Sequence, residues 1–186
     1  MSSEAIKFDV DVIQDKQQMI DWQLAGQIEY VESSCVDVDY HFEQDKLQMF
    51  LNSVADSNNP FNNIPRLHCL SVATKRLDDG SRKLLGFVAG STFAAIGGVP
   101  IRALVMFRLM VLPSYRKNGI GTSLLSSFRS IAEDTCTYSI GCPHIPMFGL
   151  KNDDQRRLFA AMGWSKKVDL RHTQMSPDVE WITHDD

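Results

Sequence analysis

Six residues, Arg116, Lys117, Asn118, Gly119, Ile120 and Gly121, stand between the apolar run LVMFRLMVLP and the helix-patterned run TSLLSSFRSI. Their types suit an anion. A helix that opens there leaves its first N–H groups without intrahelical partners and presents the positive end of its dipole. Glycine lets a ligand approach the backbone closely, and Arg116 and Lys117 add charge at the same end. Residues 116–122, closed by Thr122, therefore read as a cradle for a phosphate or pyrophosphate. The plainer reading is a helix entry that needs unusual backbone angles.

The elements that must position this loop follow from periodicity. AIKFDVDVIQ alternates as a first strand, and Asp15 with Gln18 forms a capping pair ahead of Ile20, Leu24, Ile28 and Val31 at helical spacing. A second helix is expected from about Asp45, on Leu47, Phe50, Leu51 and Val54, ending in the loop ADSNNPFNNIP. RLHCLSVATKRL, KLLGFVAGSTFAAI and VPIRALVMFRLMVL, joined by DDGSR and GG, predict an antiparallel meander. The third of these is apolar at nearly every position, as a strand covered on both faces is.

A helix carrying Ile120, Leu124, Phe128 and Ile131 on one stripe follows the loop and ends near Glu133 and Asp134. Another strand is expected in the second half of CTYSIGCPHIPMFGL, because Gly141 and Pro143 punctuate the first half. NDDQRRLFAAMGW specifies a short helix: Asn152 caps it, Asp153 and Asp154 face its positive end, Gln155 completes a capping box and Gly163 follows the last turn. A final strand or hairpin, WSKKVDLRHTQM, precedes a polar tail. The order predicts one α+β domain over residues 1–186, with helices on both faces of a mixed sheet.

Two of these motifs in this order resemble the GNAT superfamily of N-acetyltransferases. LMVLPSYRKNGIGTSLL matches that family's strand, Pro and Arg/Gln-x-x-Gly-x-Gly/Ala loop, and NDDQRRLFAAMGW matches its Asn-capped helix ending in Gly-aromatic. The sequence detail runs from about Arg102 to Trp164. The resemblance implies a central, mixed, mostly antiparallel sheet whose fourth and fifth strands splay apart to admit the pantetheine arm of acetyl-CoA. It implies that Met110, Val111 and Leu112 lend backbone groups to that arm, that residues Arg116 to Thr122 cradle the pyrophosphate, that Asn152 approaches the pantetheine, and that Phe159 lies beside the sulfur.

It further implies acetyl transfer from acetyl-CoA to a primary amine of a small molecule or peptide, with both substrates bound at once. A fixed backbone N–H at a distorted strand then stabilises the developing oxyanion, and simultaneous binding supplies orientation. One departure stands out. Many relatives carry a Tyr where this chain has Phe159, and Phe has no proton to give a leaving thiolate. Water, Tyr138 or Tyr115 could replace it, and a CoA-binding regulatory module with impaired catalysis is the alternative reading. The general base is likewise open: RALVMFRLMVL contains no acid, and His144 and His172 are its candidates, which together with Tyr138 as an acid make up the candidate catalytic residues.

Between Lys16 and Lys46 there is no Lys or Arg, while Asp21, Glu29, Glu32, Asp37, Asp39, Glu43 and Asp45 all occur. In the resembling family the connection between the first two helices borders the acceptor site, so Glu29, Glu32, Asp37 and Asp39 are candidates for an acidic wall that attracts a cationic amine. A solvated acidic surface is the competing explanation. The net charge of −4 gives no general attraction to nucleic acid or anionic membrane. No apolar run approaches the roughly 20 residues of a membrane span, and the N-terminus lacks a secretory pattern, which predicts a cytoplasmic chain. Cys35, Cys69, Cys136 and Cys142 lack paired metal spacing, and Cys136, Cys142 and His144 match no common metal pattern, so reduced thiols and no metal are expected. By analogy with the family, a homodimer is expected.

Overall fold

The structure is a computed structural model that describes residues 6–13, 16–35, 68–93, 103–135, 138–141, 157, 160–161, 163, 166–168 and 181–183. Its elements run β1 (Asp9–Val12), α1 (Lys16–Asp21), α2 (Leu24–Cys35), β2 (His68–Arg76), β3 (Arg82–Phe93), β4 (Ala103–Val111), a 3-10 turn (Pro113–Tyr115), α3 (Ile120–Thr135), β5 (Tyr138–Gly141), β6 (Lys166–Val168) and β7 (Trp181–Thr183). Among the described residues the sheet has seven strands in the order β1-β2-β3-β4-β5-β7-β6. Every pairing is antiparallel except β4 with β5.

The expected meander is present as β2, β3 and β4. Its first turn is built by DDGSR: Gly80 takes φ +82, its N–H donates to the Leu77 carbonyl at 3.0 Å, and the Ser81 N–H donates to Asp79 Oδ1 at 2.9 Å. The two hydrogen bonds from Ser81 hold the Asp79 carboxyl below the usual carboxylate range. Glycine supplies the left-handed backbone that the turn demands at no steric cost.

Helices cover both faces. On one, Ile120, Leu124, Leu125 and Phe128 of α3 pack on Cys69, Ala73, Leu85, Val88, Leu104, Met106 and Leu109. On the other, Met19 of α1 and Leu24, Ile28 and Val31 of α2 pack on Leu70, Val72, Leu84, Phe87, Ala89, Met110 and Leu112. Strand residues alternate between the two clusters because side chains of a strand point alternately up and down. Two bulges reset that alternation. Leu85 is passed over between Ala73↔Gly86 and Thr74↔Leu84, and Phe107 is passed over between Ala89↔Arg108 and Gly90↔Met106. After each, the strand presents the opposite parity to the same face.

The structure departs from three sequence expectations. The helix expected through Ile20, Leu24, Ile28 and Val31 is two helices: Gln23 takes φ +51 and its N–H turns back to the Ile20 carbonyl at 2.9 Å, leaving Ile20 57% exposed. The Gln27 side chain stabilises the break. Its Nε2 donates to the carbonyls of Trp22 (2.8 Å) and Arg82 (3.1 Å), while its Oε1 accepts the Leu84 N–H at 2.7 Å, tying α2 to the start of β3.

The strand expected in the second half of CTYSIGCPHIPMFGL is found in the first half, as β5. Tyr138, Ser139 and Ile140 pair with Ala103, Leu104 and Val105, and Gly141 takes the end position, where a missing side chain costs least. The polar tail contains β7, which lies between β5 and β6 through Ile140↔Thr183 and Lys167↔Ile182. Three residues between polar flanks are too few for a period to register. The Asp15 cap, the helix expected from Asp45 and the Asn152–Gln155 cap lie outside the described residues. Arg157, Ala160 and Ala161 are helical, and Gly163, at φ +74, donates its N–H to the Ala160 carbonyl at 3.0 Å, the expected helix stop.

Candidate functional site

The chemistry-bearing loop is assembled where β4 ends and α3 begins. Pro113 opens the 3-10 turn, whose Tyr115 N–H donates to the Leu112 carbonyl at 2.9 Å. The Asn118 side-chain amide then donates to the carbonyls of Tyr115 (3.1 Å) and Arg116 (3.0 Å), folding the loop on itself. Lys117 (φ +63) and Gly119 (φ +80) take left-handed backbone, and the first helical hydrogen bond runs from the Ser123 N–H to the Gly119 carbonyl at 3.0 Å. The N–H groups of Ile120, Gly121 and Thr122 thus precede any i−4 acceptor in the helix and point out of its N-terminus. No acidic side chain occupies that first turn. A Cβ placed on Gly119 would meet nothing within 4 Å among the described residues, so the Cβ side of this glycine is open.

The two cations of the loop differ. Lys117 is exposed. Arg116 is half-buried and folds back, its Nε donating to the Val111 carbonyl at 3.0 Å, so it braces the strand end. Of Met110, Val111 and Leu112, the structure distinguishes the middle one. The Leu112 N–H donates to the Leu85 carbonyl at 2.9 Å across the sheet. Alternation of an antiparallel ladder then turns the backbone groups of Met110 toward β3 and those of Val111 and Leu109 away from it, toward the β5 side. The described part of β5 pairs with Ala103, Leu104 and Val105 only. Leu109 was not among the sequence candidates. The pattern that finds it is simple alternation from Val111.

Sequence reasoning also passed over Cys35, though it stands one turn beyond Val31 on the buried stripe of α2. Its thiol donates to the Val111 carbonyl at 3.4 Å, beside Arg116. Burial pushes the thiol pKa up, and the charge and hydrogen bond of Arg116 oppose that without cancelling it. The thiolate fraction of Cys35 is accordingly low, and Cys35 is expected to react with iodoacetamide more slowly than an unstructured cysteine peptide from about pH 7 to 9. Mass-spectrometric rates for the Cys35 peptide check this, and a faster rate than the free peptide contradicts it.

The acidic candidates separate as well. Glu29 is exposed on α2, whereas Glu32 is buried and its Oε1 accepts from Arg108 Nε of β4 at 3.1 Å. Burial lowers the Arg108 pKa against the stabilising hydrogen bond and charge of Glu32. Tyr138 begins β5 opposite Ala103, and Tyr115 is half-buried with Lys83 Nζ 5.2 Å from its ring centre. Trp22 lies under Arg82, whose guanidinium carbon is 4.0 Å from the ring centre. Asp37, Asp39, His144, Asn152, Phe159 and His172 lie outside the described residues, as do Cys136 and Cys142. Among the described residues there is no cluster of metal-ligating side chains, Cys35 and Cys69 are free thiols, and no helix is long and apolar enough to cross a membrane.

Comparisons with known proteins agree with this architecture. The crystal structure of Arabidopsis thaliana NAA60 in complex with a bisubstrate analogue is 14% identical, with a TM-score of 0.60 over 95% of this chain and 97% of that one. The Escherichia coli GNAT family N-acetyltransferase YhbS in complex with CoA is 16% identical, with a TM-score of 0.60 over 99% and 84%. A GNAT family acetyltransferase from Brucella melitensis in complex with acetyl-CoA is 13% identical, with a TM-score of 0.53 over 96% and 90%. No curated protein matches the sequence. The profile of the acetyltransferase (GNAT) family matches residues 29–164, most of the sequence, including the β4–α3 loop and the Gly163 helix stop, and the chain belongs to that family.

Proposed function

We propose that the chain is a single domain, residues 1–186, that transfers an acetyl group from acetyl-CoA to a primary amine of a small molecule or peptide in the cytoplasm. The observation that carries this reading is the juxtaposition, within one contiguous run, of the Val111 backbone turned away from β3 and an α3 N-terminus preceded by Gly119 at φ +80. CoA-bound relatives of the same fold support the choice of cofactor.

The residues present fit that cofactor. The N–H groups of residues 119–122, with Lys117 alongside, would hold the pyrophosphate, and the outward N–H of Val111 with the outward backbone groups of Leu109 would hold the arm, the Val111 carbonyl being taken by Arg116 and Cys35. Asn152 and Phe159 are assigned to the arm and the sulfur by their motif. Bound acetyl-CoA supplies an activated thioester. The chain's own contribution is then orientation, a fixed N–H donor on the bulged strand, and proton transfer. We assign the proton-transfer role to the group His144, His172 and Tyr138, and the attraction of a cationic amine to Glu29, Asp37 and Asp39.

Phe159 favours a second reading, a CoA-binding module with impaired catalysis, because it removes the usual proton donor. CoA release with acetyl-CoA across a panel of amines and N-terminal peptides decides between them. The first reading expects acceptor-dependent release above hydrolysis, and a rate gain of about tenfold or more in Phe159→Tyr if protonation of the thiolate limits turnover. CoA binding with no acceptor-dependent release establishes the second.

A further inference from the structure

We propose that the buried Glu32–Arg108 ion pair fixes the register of the second half of β4, and so decides which backbone groups that strand turns toward the cofactor side. This makes Glu32 and Arg108 positioning residues for the acyl transfer proposed above, on which that part of the inference rests.

The β4 sequence, ALVMFRLMV, is apolar except for Arg108. A strand with apolar side chains at both parities gains about the same burial in either of two registers, so hydrophobic patterning leaves its choice of face weakly specified. The structure shows which choice is made. Leu104 and Met106 face α3, Phe107 is passed over, and from there Arg108, Met110 and Leu112 face α2 while Leu109 returns to the α3 side.

Sliding the strand by one residue to remove the bulge would set Arg108 opposite Val88, among Ile120, Leu124 and Phe128 of the α3 cluster. It would also replace the outward backbone of Leu109 and Val111 with that of Met110. The apolar residues are nearly indifferent to the exchange. Arg108 and Glu32 are not, since each side chain is 5% exposed and the slide would separate their 3.1 Å contact, leaving a buried charge on either face of the sheet. One ion pair thereby discriminates between registers that the apolar residues of the nine-residue strand barely distinguish. Glu32 sits on the buried stripe of α2, one turn after Ile28, so the helix carries the register signal to the strand.

The test uses the full chain with both charges replaced, Glu32→Leu with Arg108→Met. An apolar pair of similar volume commonly restores the stability that a single substitution would forfeit, which separates register from folding. The expected result is a cooperatively melting protein whose NMR spectra show a second set of cross-strand contacts, with Phe87 against Leu109 in addition to Phe87 against Met110. CoA affinity is expected to fall as the arm loses the outward backbone of Leu109 and Val111, while kcat falls about 100-fold because the donor on the bulged strand is misplaced. A single native register with the Phe87–Met110 contact alone overturns the proposal.

Should that variant not fold, the charge-reversed pair Glu32→Arg with Arg108→Glu decides. A single native register supports the inference, and a mixed or slipped register, or an unfolded chain, overturns it. The NMR result stands without turnover, so loss of the acyltransferase reading and loss of the register lock are told apart.

Discussion

Gly119→Asp is expected to lower the affinity for CoA by about 100-fold while the protein still folds. The residue before α3 takes φ +80, where Asp is among the better-tolerated side chains, and a Cβ there meets nothing within 4 Å among the described residues. The new carboxylate would sit over the N–H groups of the first turn and satisfy them from within the chain, as an anion would from outside. Losing two charge-assisted hydrogen bonds, at about 1.5 kcal/mol each, corresponds to about two orders of magnitude in Kd. Gly119→Ala carries the backbone strain without the charge and is expected to cost about tenfold or less. Isothermal titration of the two variants separates charge from strain. Equal losses in both would show that the backbone conformation, and not an anion site, is what Gly119 provides.

The second large effect is expected on stability. At Gly86→Ala the added Cβ would lie 2.5 Å from the Met110 carbonyl oxygen and 3.1 Å from Val111 Cα and Cγ2. Two of those atoms belong to the β4 backbone, so no rotamer change relieves the clash, and the paired strands must move apart next to the Leu85 bulge. Overpacking of this kind costs about 3 kcal/mol, or about 6–12 °C in Tm for a domain of this size. Because the displaced segment carries the outward Val111 groups, CoA affinity is expected to fall with it. Thermal melts with and without CoA check both effects. A Tm within about 2 °C of wild type would show that β3 and β4 have slack that the 2.5 Å approach denies.

Gly119 and Gly86 differ in how far along the chain their determinants lie, and that distance decides what the sequence discloses. The α3 loop was legible because its determinants are local: glycine, cations and an apolar-periodic run lie within a few residues, and Gly119 and Asn118 perform jobs that depend on near neighbours. The meander was legible for the same reason. The function of Cys35, Gly86, Arg108 and Leu109 was not, because each depends on a partner distant in sequence. Cys35 meets Val111 only when α2 lies on the sheet, and Gly86 matters only through the close approach of β4.

The bulge at Phe107 explains why the nearly all-apolar look of β4 was informative about burial yet silent about direction. Glu32 shows the converse error. Counted by charge it belongs with Glu29, and the two stand only about 60° apart around α2, but Glu32 falls at the edge of the buried stripe while Glu29 lies just beyond it and faces solvent. The break at Gln23 eluded the sequence because neither Gly nor Pro marks it. The device that holds it, the Gln27 side chain, also bonds to Leu84 of β3.

The central claim, that CoA binds where β4 meets α3, is tested most directly by amide chemical-shift mapping of the full chain during titration with CoA. Saturable shifts are expected on the amides of Gly119, Ile120, Gly121 and Thr122 and on those of Leu109 and Val111. Saturable shifts confined elsewhere, such as the roughly 400 Å³ cavity lined by Trp22, Gln27, Gly80 and Arg82, with the α3 loop unmoved, would contradict it.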